Sequence, residues 1–338
     1  MSSEPIKVGI IGWGNVGRGV YEAIKRSSDM CLSGIVSRTP ERAKAELGKG
    51  VVVYSFPSVL GPSLEIPRFY SMIADVAILC GGSAKDLPVQ GPYFTQHFNT
   101  VDSFDTHVDI PAYFGKMNSV ARKNNKVAII SAGWDPGTFS LERVLGDAFL
   151  PGSTATTFWG PGVSQGHSDA IRRVEGVADG IQYTMPKDEA IKQARDGSGQ
   201  GLKTGDKHWR NCYIALKPGA DEAAVVQAIR TMPKYFADYE TKVTIETPKQ
   251  ITERKRTMPH GGFVLTSGET GKGNKALIEY RNGWASNPEA TGSILVACAR
   301  ANYRLQQRSH CKGAFTMLDI PPALFSPRSR EELLKSFM

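Results

Sequence analysis

The chain has 338 residues, 41% of them hydrophobic and 22% charged, with a formal net charge of +8. That balance excludes a disordered or collagen-like chain, and no apolar run reaches the roughly 20 residues of a membrane span. Lysine and arginine are spread along the chain, and the one dense patch, residues 249–256, contains Glu253 and reads as a solvated loop or helix, so a nucleic-acid partner is not expected.

The length suggests about two domains. Residues 1–5 lead directly into an apolar run, which predicts no signal peptide. Cys31, Cys80, Cys212, Cys298 and Cys311 show neither C-x-x-C nor zinc spacing, and the six histidines form no H-E-x-x-H. Reduced thiols, no metal site and a cytoplasmic location are the expectations.

Residues 6–11 form a β-branched, apolar run. Gly12, Gly14 and Gly17 follow at G-x-G-x-x-G spacing, and a helical pattern then places Val16, Val20 and Ile24 on one face. Strand, glycine turn and helix together are the context that makes this spacing a dinucleotide fingerprint. The next predicted strand, residues 30–36, ends at Ser37, Arg38 and Thr39. An NAD site wants an acidic residue there for the ribose 2′-hydroxyl. Here a hydroxyl and a guanidinium stand instead, which suits the 2′-phosphate of NADP(H), unless Arg38 is an incidental surface residue.

Residues 40–47 read as a helix, and residues 51–54 as a short strand within a proline-rich stretch. A buried strand at 74–80 runs into Cys80, Gly81, Gly82 and Ser83, a turn small enough for a cofactor to approach. Further strands at 100–103 and 126–131 end at Asp105 and Asp135, with a helix after Pro111 between them. Alternating strands and helices predict a doubly wound parallel sheet, whose ligands bind beyond the carboxyl ends of the strands. Both aspartates lie at that edge, as ligand groups or as helix caps.

After about residue 137 strands dominate, at 153–159, 180–185, 211–216, 242–246 and 262–266, with helices at 220–231 and 287–307. This predicts an α+β second domain. Residues 162–166 match G-x-S-x-G, but the hydrolase elbow needs a strand directly before it and a helix directly after it. The match is read as accidental, and a polar, glycine-rich loop folding over substrate is expected there. Residues 268–273 lack the P-loop spacing. His260 is a substrate contact or a satisfied loop histidine. Arg210 is a carboxylate partner or an exposed strand-edge residue.

Five stretches, GWDPG (133–137), FWGPGVSQGHSDAIRR (158–173), IRTMPKYF (229–236), MPHGG (258–262) and GAFTML (313–318), resemble the meso-diaminopimelate dehydrogenases, and the resemblance covers nearly the whole chain. It matches poorly at 41–71 and loosely at 280–286. It implies a Rossmann-type doubly wound sheet plus an α+β substrate and dimerisation domain, with boundaries at 1–136, 137–285 and 286–338, the last segment packing back on the first. It also implies a homodimer that converts the D-centre of meso-2,6-diaminopimelate to L-2-amino-6-oxopimelate and ammonia with NADP(H).

The resemblance implies cofactor contacts at Trp13, Gly14, Asn15, Val16, Ser37, Arg38, Thr39, Cys80, Gly81, Gly82, Ser83, Ser103, Phe104, Ala132 and Gly133. Implied substrate contacts are Asp105, Asp135, Trp159, Gln165, Gly166, Thr184, Arg210, His260 and Asn287. The substrate is a double zwitterion, so each buried charge needs an opposite partner. Asp105 and Asp135 are therefore assigned to the reacting ammonium, and one of them, not chosen between, to proton handling. Arg210, His260, Thr184 and Asn287 are assigned to the distal L-centre, Trp159 to a wall, and Gln165 with Gly166 to loop hydrogen bonds. The rival readings are a dihydrodipicolinate reductase type, a broader D-amino-acid dehydrogenase and an NADPH-binding sensor without turnover.

Overall fold

The computed structural model describes residues 4–48, 50–56, 73–308 and 310–338. Most of the proline-rich stretch, residues 57–72, lies outside them. The chain divides into two compact units, Met1–Leu141 with Pro288–Met338, and Glu142–Asn287.

The first unit begins β1 (Ile6–Ile11), α1 (Asn15–Lys25), β2 (Met30–Ser37), α2 (Pro40–Leu47), β3 (Val53–Ser55) and β4 (Val76–Leu79). It continues with α3 (Leu87–Thr95), β5 (Asn99–Asp102), α4 (Ile110–Lys123) and β6 (Val127–Ile129), and α5 (Thr138–Phe149) carries the chain onward. The second unit contains β7 (Thr154–Trp159), β8 (Gly162–Val163), α6 (Gln165–Arg172), β9 (Val177–Pro186), α7 (Asp188–Asp196), α8 (Thr204–Lys207) and β10 (His208–Leu216). After these come α9 (Glu222–Arg230), β11 (Thr241–Ile245), α10 (Pro248–Arg254), β12 (His260–Thr270) and β13 (Asn274–Trp284). The chain ends with α11 (Asn287–Gln306), β14 (Gly313–Phe315) and α12 (Arg330–Phe337).

Seven strands in the order β14-β6-β5-β4-β1-β2-β3 form the sheet of the first unit, and every neighbouring pair is parallel. Parallel strands covered on both faces read as continuous apolar runs, and β4, VAIL, is buried at every position. On α1 the turns face inward through Val20, Ala23 and Ile24. Burying Val20 and Ile24 contributes about 2 kcal/mol each. The same helix meets α11 at glycines: a Cβ on Gly19 would lie 2.2 Å from the Pro288 carbonyl oxygen, and one on Gly292 would lie 2.3 Å from Gly19. Asn302 of α11 is fully buried and donates to the carbonyls of Thr100 (2.8 Å) and Val127 (3.1 Å), which ties the helix to β5 and β6. Arg300 grips Asp29 through two hydrogen bonds of 2.6 and 2.8 Å. Burial raises the Asp29 carboxyl, but the hydrogen bonds and charge of Arg300 outweigh this and hold it below its ordinary value.

The second unit has two sheets, β11-β10-β9-β8 and β13-β12-β7. Cys212 and Ile214 of β10 pack with Ile171 of α6 and with Val225 and Ile229 of α9, while Phe158 and Phe263 stack beneath Ala190 and Ala194 of α7.

The structure departs from these expectations locally. Residues 165–172 are helical, not a loop: Ser164 ends β8's segment and caps α6, its hydroxyl accepting from the His167 N–H at 3.5 Å. Strand and helix thus flank this serine closely, yet its hydroxyl serves the cap and contacts the His167 ring at 2.7 Å. That imidazole otherwise meets the rings of Tyr235 and Phe236, and no carboxylate orients it among the described residues. Helix α3 was hidden by Pro88, Gly91 and Pro92. Pro92 cannot donate back to the Pro88 carbonyl, and Lys116 Nζ takes that oxygen instead at 3.1 Å. Helices α5 and α7 and strand β13 also went unanticipated.

Candidate functional site

In the first sheet β1 and β4 are neighbours, but the chain runs from β1 outward through β2 and β3 and returns to extend through β5 and β6 on the other side. A parallel sheet holds ligands in the crevice outside such a switch point. A cavity of about 350 Å³ lies there, lined by Gly12, Trp13 and Gly14 after β1, by Ser37, Arg38 and Thr39 at the end of β2, and by Cys80, Gly81 and Gly82 after β4.

The three fingerprint glycines have different reasons to lack a side chain. Gly12 has φ +107°, and a Cβ would sit 3.2 Å from the Cys80 main chain. At Gly17 a Cβ would fall 2.1 Å from the Gly12 carbonyl oxygen, so the first turn of α1 packs directly on the loop. Around Gly14 no atom lies within 4 Å of a Cβ position. The protein's own packing excludes a side chain at Gly12 and Gly17, and Gly14 leaves space beside the helix N-terminus. Asn15 and Val16 form the first helical turn, whose N–H groups lack intrahelical acceptors. This is a cradle that fits a pyrophosphate.

At the end of β2 the buried Ser37 hydroxyl accepts the Thr39 N–H at 3.1 Å. Arg38 is exposed and forms a two-fold contact with Asp86, at 3.1 and 3.2 Å. No acidic residue stands at the end of β2 itself, residues 37–39, but the fold brings one there from the turn before α3. Asp86 also accepts the Gly82 N–H at 2.8 Å. Trp13 is buried, and its indole N–H donates to Glu46 at 2.8 Å. The Arg18 hydrogen bond, with that of Trp13, holds the Glu46 carboxyl down at about 2.

Ser83, Ser103, Phe104, Ala132 and Gly133 do not line this cavity. They belong to the loops after β4, β5 and β6, along the same sheet edge. Ser83 Oγ accepts the Asp105 N–H at 2.8 Å. Phe104 stacks on Tyr113, ring centres 4.2 Å apart. Asp105 is exposed and precedes Thr106, the residue before the next helical turn, so it is not that turn's cap. Asp135 is half-buried in a tight loop closed by Gly137, where a Cβ would lie 1.8 Å from the Gly133 carbonyl oxygen.

In the second unit Thr184 and Arg210 face each other across β9 and β10. Arg210 Nη1 donates to Thr184 Oγ1 at 2.5 Å, and its guanidinium lies 3.9 Å from the Tyr239 ring centre. Arg210 is only 6% exposed, its Nε has no hydrogen-bond partner, and no carboxylate pairs with it among the described residues. Burial lowers its pKa. Gln182, one inward position along, donates to Thr184 at 3.4 Å and leaves its own Oε1 unpartnered. Gly162 is in register with Thr184, and a Cβ on Gly162 would lie 2.7 Å from His260 Nδ1. Thr184, Arg210 and His260 therefore converge around this short strand. Burial pushes the His260 imidazole down to about 4, so it is neutral.

Trp159 closes β7. Its N–H donates to His208 Nε2 at 2.9 Å, and its ring stacks on His208 at 5.2 Å. His208 was not singled out from sequence. Alternation along β10 places it inward with Arg210, which is the signal that finds it. Burial drives it down to about 3. Lys207 Nζ lies 5.7 Å from the Trp159 ring centre. Gln165 and Gly166 are exposed on the first turn of α6, and Asn287, half-buried, donates its N–H to the Met258 carbonyl at 2.8 Å.

Residues 133–284 match the family model of the diaminopimelic acid dehydrogenase C-terminal domain. A meso-diaminopimelate D-dehydrogenase of Ureibacillus thermosphaericus is 50% identical over 98% of this chain and 99% of its own length. The C. glutamicum DAP dehydrogenase in complex with DAP superposes with a TM-score of 0.87 at 40% identity, covering 98% of this chain and 99% of that one. An engineered D-amino acid dehydrogenase bound to NADP+ gives 0.83 at 38% identity, covering 99% and 100%.

Proposed function

The chain belongs to the meso-diaminopimelate D-dehydrogenase family, and from that premise we propose that it catalyses the reversible, NADP-dependent oxidative deamination of meso-2,6-diaminopimelate at its D-centre, giving L-2-amino-6-oxopimelate and ammonia. The observation that carries the substrate assignment is Arg210. A buried guanidinium without an acidic partner is strongly unfavourable, and a substrate carboxylate supplies the missing anion in the two-pronged geometry that arginine favours. Thr184, His260 and Asn287 are assigned with it to the carboxylate and ammonium of the L-centre. A neutral His260 donates or accepts a hydrogen bond there without adding charge.

NADP+ serves as the hydride acceptor when bound. The chain's part begins with holding it: Gly14, Asn15 and Val16 face the pyrophosphate, and Ser37, Arg38 and Thr39 the 2′-phosphate. Asp105 and Asp135 are assigned to the ammonium of the D-centre. A carboxylate beside that ammonium takes the proton that must leave before the C–H bond opens, and later orients the water that adds to the imine. The chirality of the reacting centre is selected by anchoring the far end first. Trp159, braced by His208, is assigned as the wall against the carbon chain. Gln165 and Gly166 are assigned to hydrogen bonds near the reacting end.

We also infer a cytoplasmic homodimer, and light scattering should give twice the mass of one chain. The activity is tested by NADP+ reduction with meso-, LL- and DD-diaminopimelate and with simple D-amino acids. Turnover confined to the meso isomer is expected. Turnover with simple D-amino acids would make it a broader dehydrogenase, and none with any of them would favour a sensor.

A further inference from the structure

Asp102, the last residue of β5, is fully buried, and its carboxylate meets three donors. Oδ1 accepts the Phe104 N–H at 3.0 Å and the Ser131 N–H at 3.1 Å. Oδ2 accepts the Tyr113 hydroxyl at 2.7 Å. The Asp102 carbonyl in turn accepts the Ala132 N–H at 2.8 Å. One residue thus fastens the start of the loop after β5 and the start of the loop after β6, and Tyr113 of α4 holds its second oxygen.

The loop after β6 needs such a fastening. Ser131 has φ +54°, a conformation that a residue with a side chain adopts only when its surroundings impose it. The hydrogen bond from its N–H to Asp102 is part of what imposes it. Immediately after Phe104 the loop after β5 carries Asp105, and four residues beyond Ser131 the loop after β6 carries Asp135. A buried carboxylate also carries a desolvation penalty that apolar packing would avoid, so its presence here calls for a role beyond filling space. Burial lifts its carboxyl to about 6 even with these donors in place.

We propose that Asp102 is a positioning residue of the reaction: through Oδ1 it sets the two loops that carry Asp105 and Asp135, and so fixes where both carboxylates stand. This rests on the assignment of those aspartates to the reacting ammonium.

The test compares the same substitution in two backgrounds, because residues that act as one unit are not additive. Asp102→Ala should lower kcat/KM for meso-diaminopimelate about 30-fold in the otherwise native enzyme, and less than about threefold when Asp105→Ala and Asp135→Ala are already present. Asp102→Asn keeps an oxygen at the Oδ1 position and should restore kcat/KM to within about threefold of native. Should Asp102→Ala fail to fold by circular dichroism, Tyr113→Phe, which keeps the ring on Phe104, provides the comparison, with a loss of about fivefold confined to the native background. Equal losses in both backgrounds, or native kcat/KM in folded Asp102→Ala, would overturn the positioning role. Native kcat/KM in the aspartate double variant would overturn the aspartate assignment itself, and the proposal with it.

Discussion

At the carboxyl end of β1 the decisive contacts are between main-chain atoms: the Gly17 Cα against the Gly12 carbonyl, and Gly12 against Cys80. Between β9 and β10 they are between side chains: Arg210 on Thr184, Gln182 beside them, His260 behind Gly162. The cradle proposed for a pyrophosphate needs only backbone N–H groups at one turn, so its demands on sequence are local and concentrated in glycines. A double zwitterion needs charges and donors set several ångströms apart. Strands far apart in the chain supply those, and their separation in sequence follows no rule. The cradle is preorganised by packing, and the polar pocket is held by burial that leaves charge uncompensated.

The largest test of that contrast is Arg210→Met. It fills the buried space without charge, and loss of a desolvated charge pair costs about 4 kcal/mol. The kcat/KM for meso-diaminopimelate should fall about a thousandfold by steady-state assay, while the NADP+ dissociation constant, read by fluorescence titration, stays within about twofold. A parallel loss of NADP+ binding would erase the division between the two regions.

Next in size is Arg38→Glu. Hydrogen bonds to a charged group contribute about 2 kcal/mol, so KM for NADPH should rise about 30-fold and that for NADH much less. Equal changes would show that Arg38 does not meet the 2′-phosphate and is committed to Asp86.

The remaining effect is on stability, not on kinetics. His208 and His260 have pKa values near 3 and 4 in the folded chain, against about 6.5 when unfolded. Both stay neutral on folding, so above pH 6.5 they exact no penalty. As the pH falls from 6.5 toward 4, the unfolded chain takes up protons that the folded one refuses. Stability should then drop by up to about 1.4 kcal/mol per pH unit for each histidine. Thermal denaturation at pH 7 and pH 5 measures the drop, and His208→Gln should make it shallower. An unchanged slope would mean that His208 is protonated in the fold.

How much was legible follows from the same physics. The fingerprint, β1, α1, α2 and the parallel sheet could be read because each rests on local pattern: apolar runs, 3.6-residue spacing, glycines where backbones touch. Helix α3 could not, because the carbonyl orphaned by Pro92 is rescued by Lys116, more than twenty residues downstream. The helix after Ser164 was masked by Gly160 and Pro161 of the turn after β7 and by Gly162 of the two-residue strand that follows. Arg38 was readable, but its partner Asp86 was not, since only the fold joins the ends of β2 and the turn before α3. His208 had the inward alternation of β10 and nothing else to mark it as the brace of Trp159.

The first unit is also discontinuous, and this has a consequence for how the chain is made. Its sheet is completed by β14, and Asn302 of α11 links β5 to β6 from the far end of the sequence. During synthesis from the N-terminus the first unit therefore waits, its β6 edge open and the face covered by α11 bare, until the whole intervening unit has emerged. The second unit is contiguous and can fold first. A chain truncated after Asn287 should present a protease-resistant second unit beside a first unit that is still digested, the reverse of the order in which the two begin on the ribosome.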